Sequence, residues 1–245
     1  MMMKQKSRSR KKRIIIILLS IVLCTALVMT GLMIYGKSQM AKVPGLTFRE
    51  ALEYTTRGKK DAVRDSYGFD YSNYGYTVLG LVIESVYGTD YTALVNDYVQ
   101  NDLGLISTKI SEHDGDLENL WDWEANDAYL SAGALTSDIT DMLAYAQIQL
   151  NDPRFTPCHE SLKTINASTE SYLMMGIHMD GIGMAWIIDN ENGFIWHNGG
   201  TGHYNSYLGF CPETGTAVVV LSNLSPNDRI PATVLGIKKL QDLNQ

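Results

Sequence analysis

From Ile14 to Gly36 the chain runs for 23 residues without a charge, and the thirteen residues before that run carry seven basic side chains and no acid. An apolar helix needs roughly 20 residues to cross a hydrocarbon core, so the run is long enough to span a bilayer. It exceeds the apolar stretch of a cleavable signal peptide, roughly 7–15 residues, and no small-x-small cleavage site follows it. Cys24 stands after Val22 and Leu23 rather than after small residues, so it does not read as a lipidated cysteine. A buried core helix would be shorter and would lack the basic flank. Basic residues stay on the cytoplasmic side. The expectation is therefore a cytoplasmic tail at 1–13, one transmembrane helix at 14–36, and a chain anchored in the cell membrane with everything after Lys37 outside the cytoplasm.

Beyond residue 13 there are 13 basic against 27 acidic residues, a net charge of −14. That balance argues against nucleic acid or anionic lipid headgroups as partners. Hydrophobic residues make up 45% and charged ones 19% of the chain, a globular composition able to bury a core. Outside the apolar run the cysteines are Cys158 and Cys211. Their spacing leaves a disulfide and two unpaired small hydrophobes equally open.

Residues 37–68 read as a linker with one short helix at 47–56, where Thr47 and Glu50 form a capping-box pattern. The main domain is expected over 69–245. After Tyr71-Ser72-Asn73, the apolar residues Val78, Leu79, Val82, Ile83 and Val86 recur at helical spacing from Tyr76 to Tyr87, and Gly88 ends the pattern. A second helix is expected over 90–99 and a third over 139–150, the latter with Thr136-Ser137-Asp138 at its start and Asn151-Asp152-Pro153 at its stop. The stretch 116–129 is loop-like. From residue 181 the pattern changes. An apolar run at 182–188 meets the turn Asp189-Asn190-Glu191-Asn192-Gly193, and the chain resumes as a strand at Phe194. Residues 204–211 and 216–222 read as two strands, and Val218 to Leu221 form an unbroken apolar run, as in a strand covered on both faces. A last helix over 230–243 carries the stripe Ile230, Val234, Ile237 and Leu240. Helices first, then an antiparallel meander closed by a helix, is an α+β order.

Two short sequences carry chemistry: Tyr71-Ser72-Asn73 at a helix start, and His197-Asn198-Gly199-Gly200-Thr201-Gly202 ahead of Tyr204 to Phe210. Alone, the first is a common helix entry and the second an ordinary glycine-rich hairpin. With Ser131-Ala132-Gly133-Ala134-Leu135 through Met142 between them, they resemble the penicillin-recognising serine hydrolases. Tyr71-x-Asn73 is similar to that family's second motif, and His197-x-Gly199 stands where it usually has Lys-Thr-Gly. Residues 131–142 are similar to its internal S-A-G-G-L-x-S-T-x-x-D-M segment. The seventeen residues from His197 to Glu213 match, without a gap, the pattern K-T-G-S-T-G-G-F-x-S-Y-x-x-F-x-P-E of class C β-lactamases and related D-alanyl-D-alanine peptidases and esterases.

The resemblance implies an α+β β-lactamase/transpeptidase-like fold and acyl transfer on a β-lactam, a cell-wall peptide or an ester. It implies catalytic roles for Tyr71, Asn73 and His197. Asn198, Gly199, Gly200 and Thr201 would contact substrate, with the Gly200 N–H as one oxyanion donor. The two glycines leave room for a substrate backbone to lie alongside as an added strand. A Tyr phenol, with an ordinary pKa near 10, needs a neighbouring cation to act as a base. His197 would supply one only near or below its ordinary pKa of roughly 6.5. His113, His159, His178 and His203 show no metal-ligand spacing and read as surface or structural residues, so no metal and no other cofactor is expected.

The family's first motif, Ser-x-x-Lys, supplies the nucleophile. In this chain that spacing occurs only at Ser9 and Lys12, inside the basic tail. The expectation is a membrane anchor joined to the back part of the fold. Three functions remain open on that basis: a membrane-anchored serine hydrolase written in truncated form, a non-catalytic module that binds cell-wall peptide, and a decayed remnant.

Overall fold

The computed structural model describes residues 69, 71–110, 127, 129–201, 203–224 and 230–245. The expected tail, membrane helix and linker helix at 47–56, with Trp121, Trp123 and His113, lie outside them. Among the described residues no single helix is long and apolar enough to cross a membrane.

Helix α1, Asn73–Tyr87, begins three residues earlier than the apolar periodicity suggests because Ser72 caps it, its Oγ accepting from the Gly75 N–H at 3.0 Å. Gly88 ends it at φ 64°, a left-handed conformation that glycine adopts at no steric cost. Asp90 caps α2, Tyr91–Asp97, which runs on as a π-helical turn through Tyr98–Asp102. A two-stranded ribbon follows, β1 (Lys109–Ile110) pairing with β2 (Leu135–Thr136), and the short helix α3 (Leu130–Gly133) leads into β2. Asp138 caps α4, Ile139–Asn151, by accepting from the Asp141 N–H.

The rest is a six-stranded antiparallel sheet in simple chain order: β3 (Lys163–Thr164), β4 (Gly181–Ile182), β5 (Ile187–Asp189), β6 (Phe194–Gly200), β7 (Asn205–Cys211) and β8 (Thr216–Ser222). A short helix, α5 (Glu170–Met174), lies between β3 and β4, and α6 (Ala232–Leu243) closes the chain. The apolar run at 182–188 is therefore two strands rather than one. The chain reverses where Ala185 sits at φ 67° and Gly183 donates to the Trp186 carbonyl.

Side chains alternate across a strand, so each strand feeds two cores. One row (Ile187, Phe194, Trp196, Tyr207 and Cys211) packs on Ile237 and Leu240 of α6. The other (Ile195, Leu208 and Phe210) packs with Trp186 against Ala146 of α4. Strand β8 has helices on both faces, which is why it reads as an unbroken apolar run. Cys211 belongs to the first core and Cys158 borders the second, and both thiols are free. Of the stripe expected on the last helix, Ile237 and Leu240 are fully buried, whereas Ile230 is 65% exposed because it precedes Pro231 and lies outside the helix. Helix α6 approaches the sheet at Gly236, where a Cβ would overlap the ring of Tyr207.

Candidate active site

Tyr71 ends the segment that enters α1, and His197 lies in β6, 126 residues further along. Their rings meet with centroids 6.2 Å apart, tilted by 32°. They line a cleft of about 570 Å³. Phe69, Leu79, Ile182, Met184 and Ile187 give it an apolar wall, and Ser72, Tyr76 and His197 add polar atoms. Three hydrogen bonds tie the segment 131–142 to its neighbours, one of them to α1. Ser131 Oγ donates to the Tyr76 carbonyl at 2.8 Å, and the buried carboxylate of Asp141 accepts from the Ser107 N–H and the Thr108 hydroxyl, each at 2.8 Å. The segment 131–142 thus supports the helix that presents Tyr71, and its own side chains stay out of the cleft.

Strand β6 changes character at His197. At Ile195 and Trp196 it pairs with β5 on one side and β7 on the other; from His197 to Gly200 it pairs with β7 alone. At its end the Thr201 N–H donates to the Tyr204 carbonyl. In an antiparallel ladder the bonded pairs alternate. Gly199 and His197 therefore direct their main-chain polar groups to β7, and those of Asn198 and Gly200 point to the open side. The side-chain amide of Asn205 also reaches the Gly199 carbonyl, at 2.6 Å, consistent with that carbonyl facing β7. The free edge borders the turn that carries Met184 and Ala185, both of which line the cleft. An alanine held at positive φ costs on the order of 1 kcal/mol, a strain located beside the cleft.

The other expected residues sit as follows. Asn73 is the first residue of α1, exposed, and its side chain is not among those lining the cleft. The Asn198 side chain turns to the α6 face and donates to Thr233 Oγ1 at 2.8 Å. Gly199 faces Ser206, whose Oγ a Cβ at 199 would crowd. Thr201 Oγ1 accepts from the Tyr204 N–H at 3.3 Å and so shapes the turn after β6. The cleft also uses Phe69, Leu79, Met184 and Ala185, which sequence reading does not single out. The signal available for Leu79 is its place on α1 one helical turn beyond Tyr76, on the cleft side.

Burial holds the His197 imidazole below its ordinary pKa, against a smaller opposing effect of its hydrogen bond with the Asn198 backbone. The ring is therefore neutral at pH 7 and stands beside Tyr71 as a proton acceptor or hydrogen-bonding group rather than a cation. The Tyr76 phenol is pushed up, first by burial and second by Tyr71. Away from the cleft, His159 packs its ring on Phe210 with centroids 4.9 Å apart and bonds Gln149. The ligand atoms of His178, Asp180 and Asp189 lie within 4.8 Å of one another. The two carboxylates already accept from the backbone N–H groups of Asn190 and Asn192, so they fix the turn between β5 and β6.

The β-lactamase family model matches residues 44–238, four fifths of the chain. The chain belongs to the β-lactamase family. Among its relatives, Protein flp of Staphylococcus aureus (strain MW2) is 25% identical over 189 residues, which cover 68% of this chain and 35% of that protein. This chain thus spans about a third of the length of the curated relatives it matches. The octameric penicillin-binding protein homologue from Pyrococcus abyssi superposes with a TM-score of 0.64 at 21% identity, covering 82% of this chain and 48% of that one. The β-lactamase/D-alanine carboxypeptidase from Yersinia pestis gives 0.59 at 18% identity, covering 71% and 55%. These likenesses establish the α+β β-lactamase/transpeptidase-like fold. The family is one of serine hydrolases.

Proposed function

We propose that this chain is a membrane-anchored, β-lactamase-related ectodomain whose Tyr71–His197 cleft holds an acyl donor, a β-lactam, a cell-wall peptide or an ester, without forming an acyl-enzyme as the chain stands. The observation that carries the reading is the approach of the Tyr71 and His197 rings to 6.2 Å across a cleft bordered by the free edge of β6. An N–H at Gly200 aimed at that edge supplies an oxyanion donor, and Asn198 offers a second main-chain position for a ligand to pair with. The chemistry of acylation needs a serine beside a proton acceptor. The only Ser-x-x-Lys of these 245 residues is in the basic tail. A neutral His197 further weakens any field that would turn Tyr71 into a base. Together these support binding over turnover.

Incubating the full-length chain with a fluorescent penicillin and with a fluorophosphonate, then measuring intact mass, tests this directly. No adduct is expected. A stoichiometric adduct would show that another serine of this chain acts as nucleophile. The anchor rests on the uncharged run at 14–36 with its basic flank. An alkaline phosphatase fused after Gln245 should be active, and a silent fusion beside an active cytoplasmic reporter would reverse the orientation.

A further inference from the structure

A second cluster of chemistry-bearing side chains lies on the α6 face of the sheet, among residues that do not line the cleft. Strand β4 pairs with β5 through Gly181–Ile188 and Ile182–Ile187, and the ladder runs one step further, the Asp180 N–H donating to the Ile188 carbonyl at 3.0 Å. That register sets Asp180 opposite Asp189. Alternation along the chain brings His178, two residues earlier, to the same side. Ile182 and Ile187 of these strands belong to the core under α6, so the three side chains share that face. One ligand atom from each of His178, Asp180 and Asp189 lies within 4.8 Å of the other two. Asp189 is wholly buried and the other two are half-buried.

The hydrogen bonds around the cluster orient its ligands and leave them acceptor capacity. One Asp189 oxygen accepts from the Asn192 N–H at 2.8 Å and the other from the Asn192 side-chain amide at 2.7 Å, while one Asp180 oxygen accepts from the Asn190 N–H at 2.8 Å. A carboxylate has about four lone-pair sites, so each acid can still bind a cation. Two observations call for one. Like charges directly opposite each other in a ladder are destabilising, and burial of one of the two carboxylates adds to that cost. Even a protonated His178 leaves the trio negative. The other observation is the Tyr207 hydroxyl, which is on the same face, 1% exposed, and without a hydrogen-bond partner among the described residues. It lies over Gly209, so the phenol runs along β7 toward the row in which Asp189 meets Phe194. Burial first, and the Asp189 charge second, push its pKa up. The unused oxygen is therefore turned toward the acidic end of the sheet, where a water carried by an ion finds an acceptor.

We propose that His178, Asp180 and Asp189 bind a divalent transition-metal ion of the zinc class, which links the ends of β4 and β5. An imidazole with two carboxylates suits zinc, whereas calcium takes oxygen ligands alone. The hairpin is short of other ties: β4 has two residues and β5 three, and its closed end carries Met184 and Ala185 of the cleft. The ion steadies that wall from the open end of the hairpin, whatever the cleft binds.

The test uses the full-length chain in detergent, stripped with EDTA and dialysed free of it. Titration calorimetry with zinc chloride at pH 7.5 should show binding, zinc should raise the unfolding temperature, and EDTA should reverse the rise. Cobalt(II) should give a visible absorption band that zinc abolishes. His178→Gln and Asp180→Asn, both at half-buried positions and close in volume to the original residues, should each weaken zinc at least about tenfold. Where one of them disturbs folding, the other decides. No zinc binding by the unmodified chain overturns the proposal, and so does zinc binding that both variants leave unchanged, which would assign the ion to other histidines. Calcium stabilising the chain as well as zinc does would overturn the choice of metal and the part of the imidazole in the site.

Discussion

Helices α1 and α6 start from similar sequence patterns and end in different surroundings. Each carries an apolar stripe at helical spacing, yet Ile237 and Leu240 of α6 are wholly buried against the sheet, whereas on α1 the buried residues are Thr77 and Gly80. Leu79 and Val82 are each half exposed, and Val86 and Tyr87 are 72% and 69% exposed. The difference is one of neighbours. Helix α6 lies on the broad face made by β7 and β8, while α1 leans on the short α3 and on α2. A stripe says which side of a helix is apolar; only the tertiary arrangement says whether that side is covered. The covered helix works for stability, and the uncovered one is free to hold Tyr71 and Leu79 to a ligand.

The sharpest way to break this contrast is to cut into the covered helix. Ile237→Ala should cost about 2–5 kcal/mol in a urea unfolding experiment, the range for deleting a fully buried aliphatic side chain. A loss near zero would mean that α6 is not the keystone described above. An intermediate effect is expected from acid. His197 and His159 both have pKa values held below the ordinary one by burial, so the folded state prefers them neutral. Below about pH 6.5 the unfolded chain binds more protons than the folded one, so stability falls as pH drops from there toward the folded values. Asp189, whose pKa burial raises, acts in the opposite sense, favouring the fold at low pH and losing that contribution as pH rises from its ordinary value. The urea midpoint should be lower at pH 5.5 than at 7.5, and the slope should flatten in His197→Asn. A pH-independent midpoint would count against the burial of the cleft histidine. The smallest effect should come from the uncovered stripe. Val82→Ser should shift stability by no more than about 0.5 kcal/mol, as for a surface site. A cost comparable to that of Ile237→Ala would mean that the outer side of α1 is covered in solution.

Much of this molecule is legible in its sequence, for identifiable reasons. Caps announce themselves: Ser72, Asp90 and Asp138 each accept from the backbone N–H three residues on. Glycine and proline bound α1 and α6, and the apolar run of β8 correctly implies cover on both faces. Two details are lost for local reasons. The run at 182–188 holds two strands, and its one local mark of a reversal is Gly183, which opens the tight turn to Trp186; the positive φ falls instead on Ala185, a residue that carries no turn signal. Ile230 fits the helical stripe in register but sits ahead of Pro231, so its side chain never reaches the sheet. At the cleft, the motifs point to Tyr71 and His197. They do not reveal that the Asn198 amide belongs to the back of the sheet, since a tripeptide carries no information about which face each side chain takes beyond simple alternation. Nor does Met184, an ordinary methionine in a turn, give notice that it forms part of the wall.

The fit of Gly236 under the ring of Tyr207 constrains how this protein can vary over evolutionary time. Any side chain at 236 displaces the aromatic ring, and a smaller residue at 207 leaves a hollow under α6. Neither position can drift by itself. The two should change together or not at all, so that in diverging copies of this domain an alanine at 236 travels with a shortened residue at 207. The pairing makes this junction a slow-moving mark of descent, while the wall of the cleft, built from exposed side chains with room around them, is free to diversify.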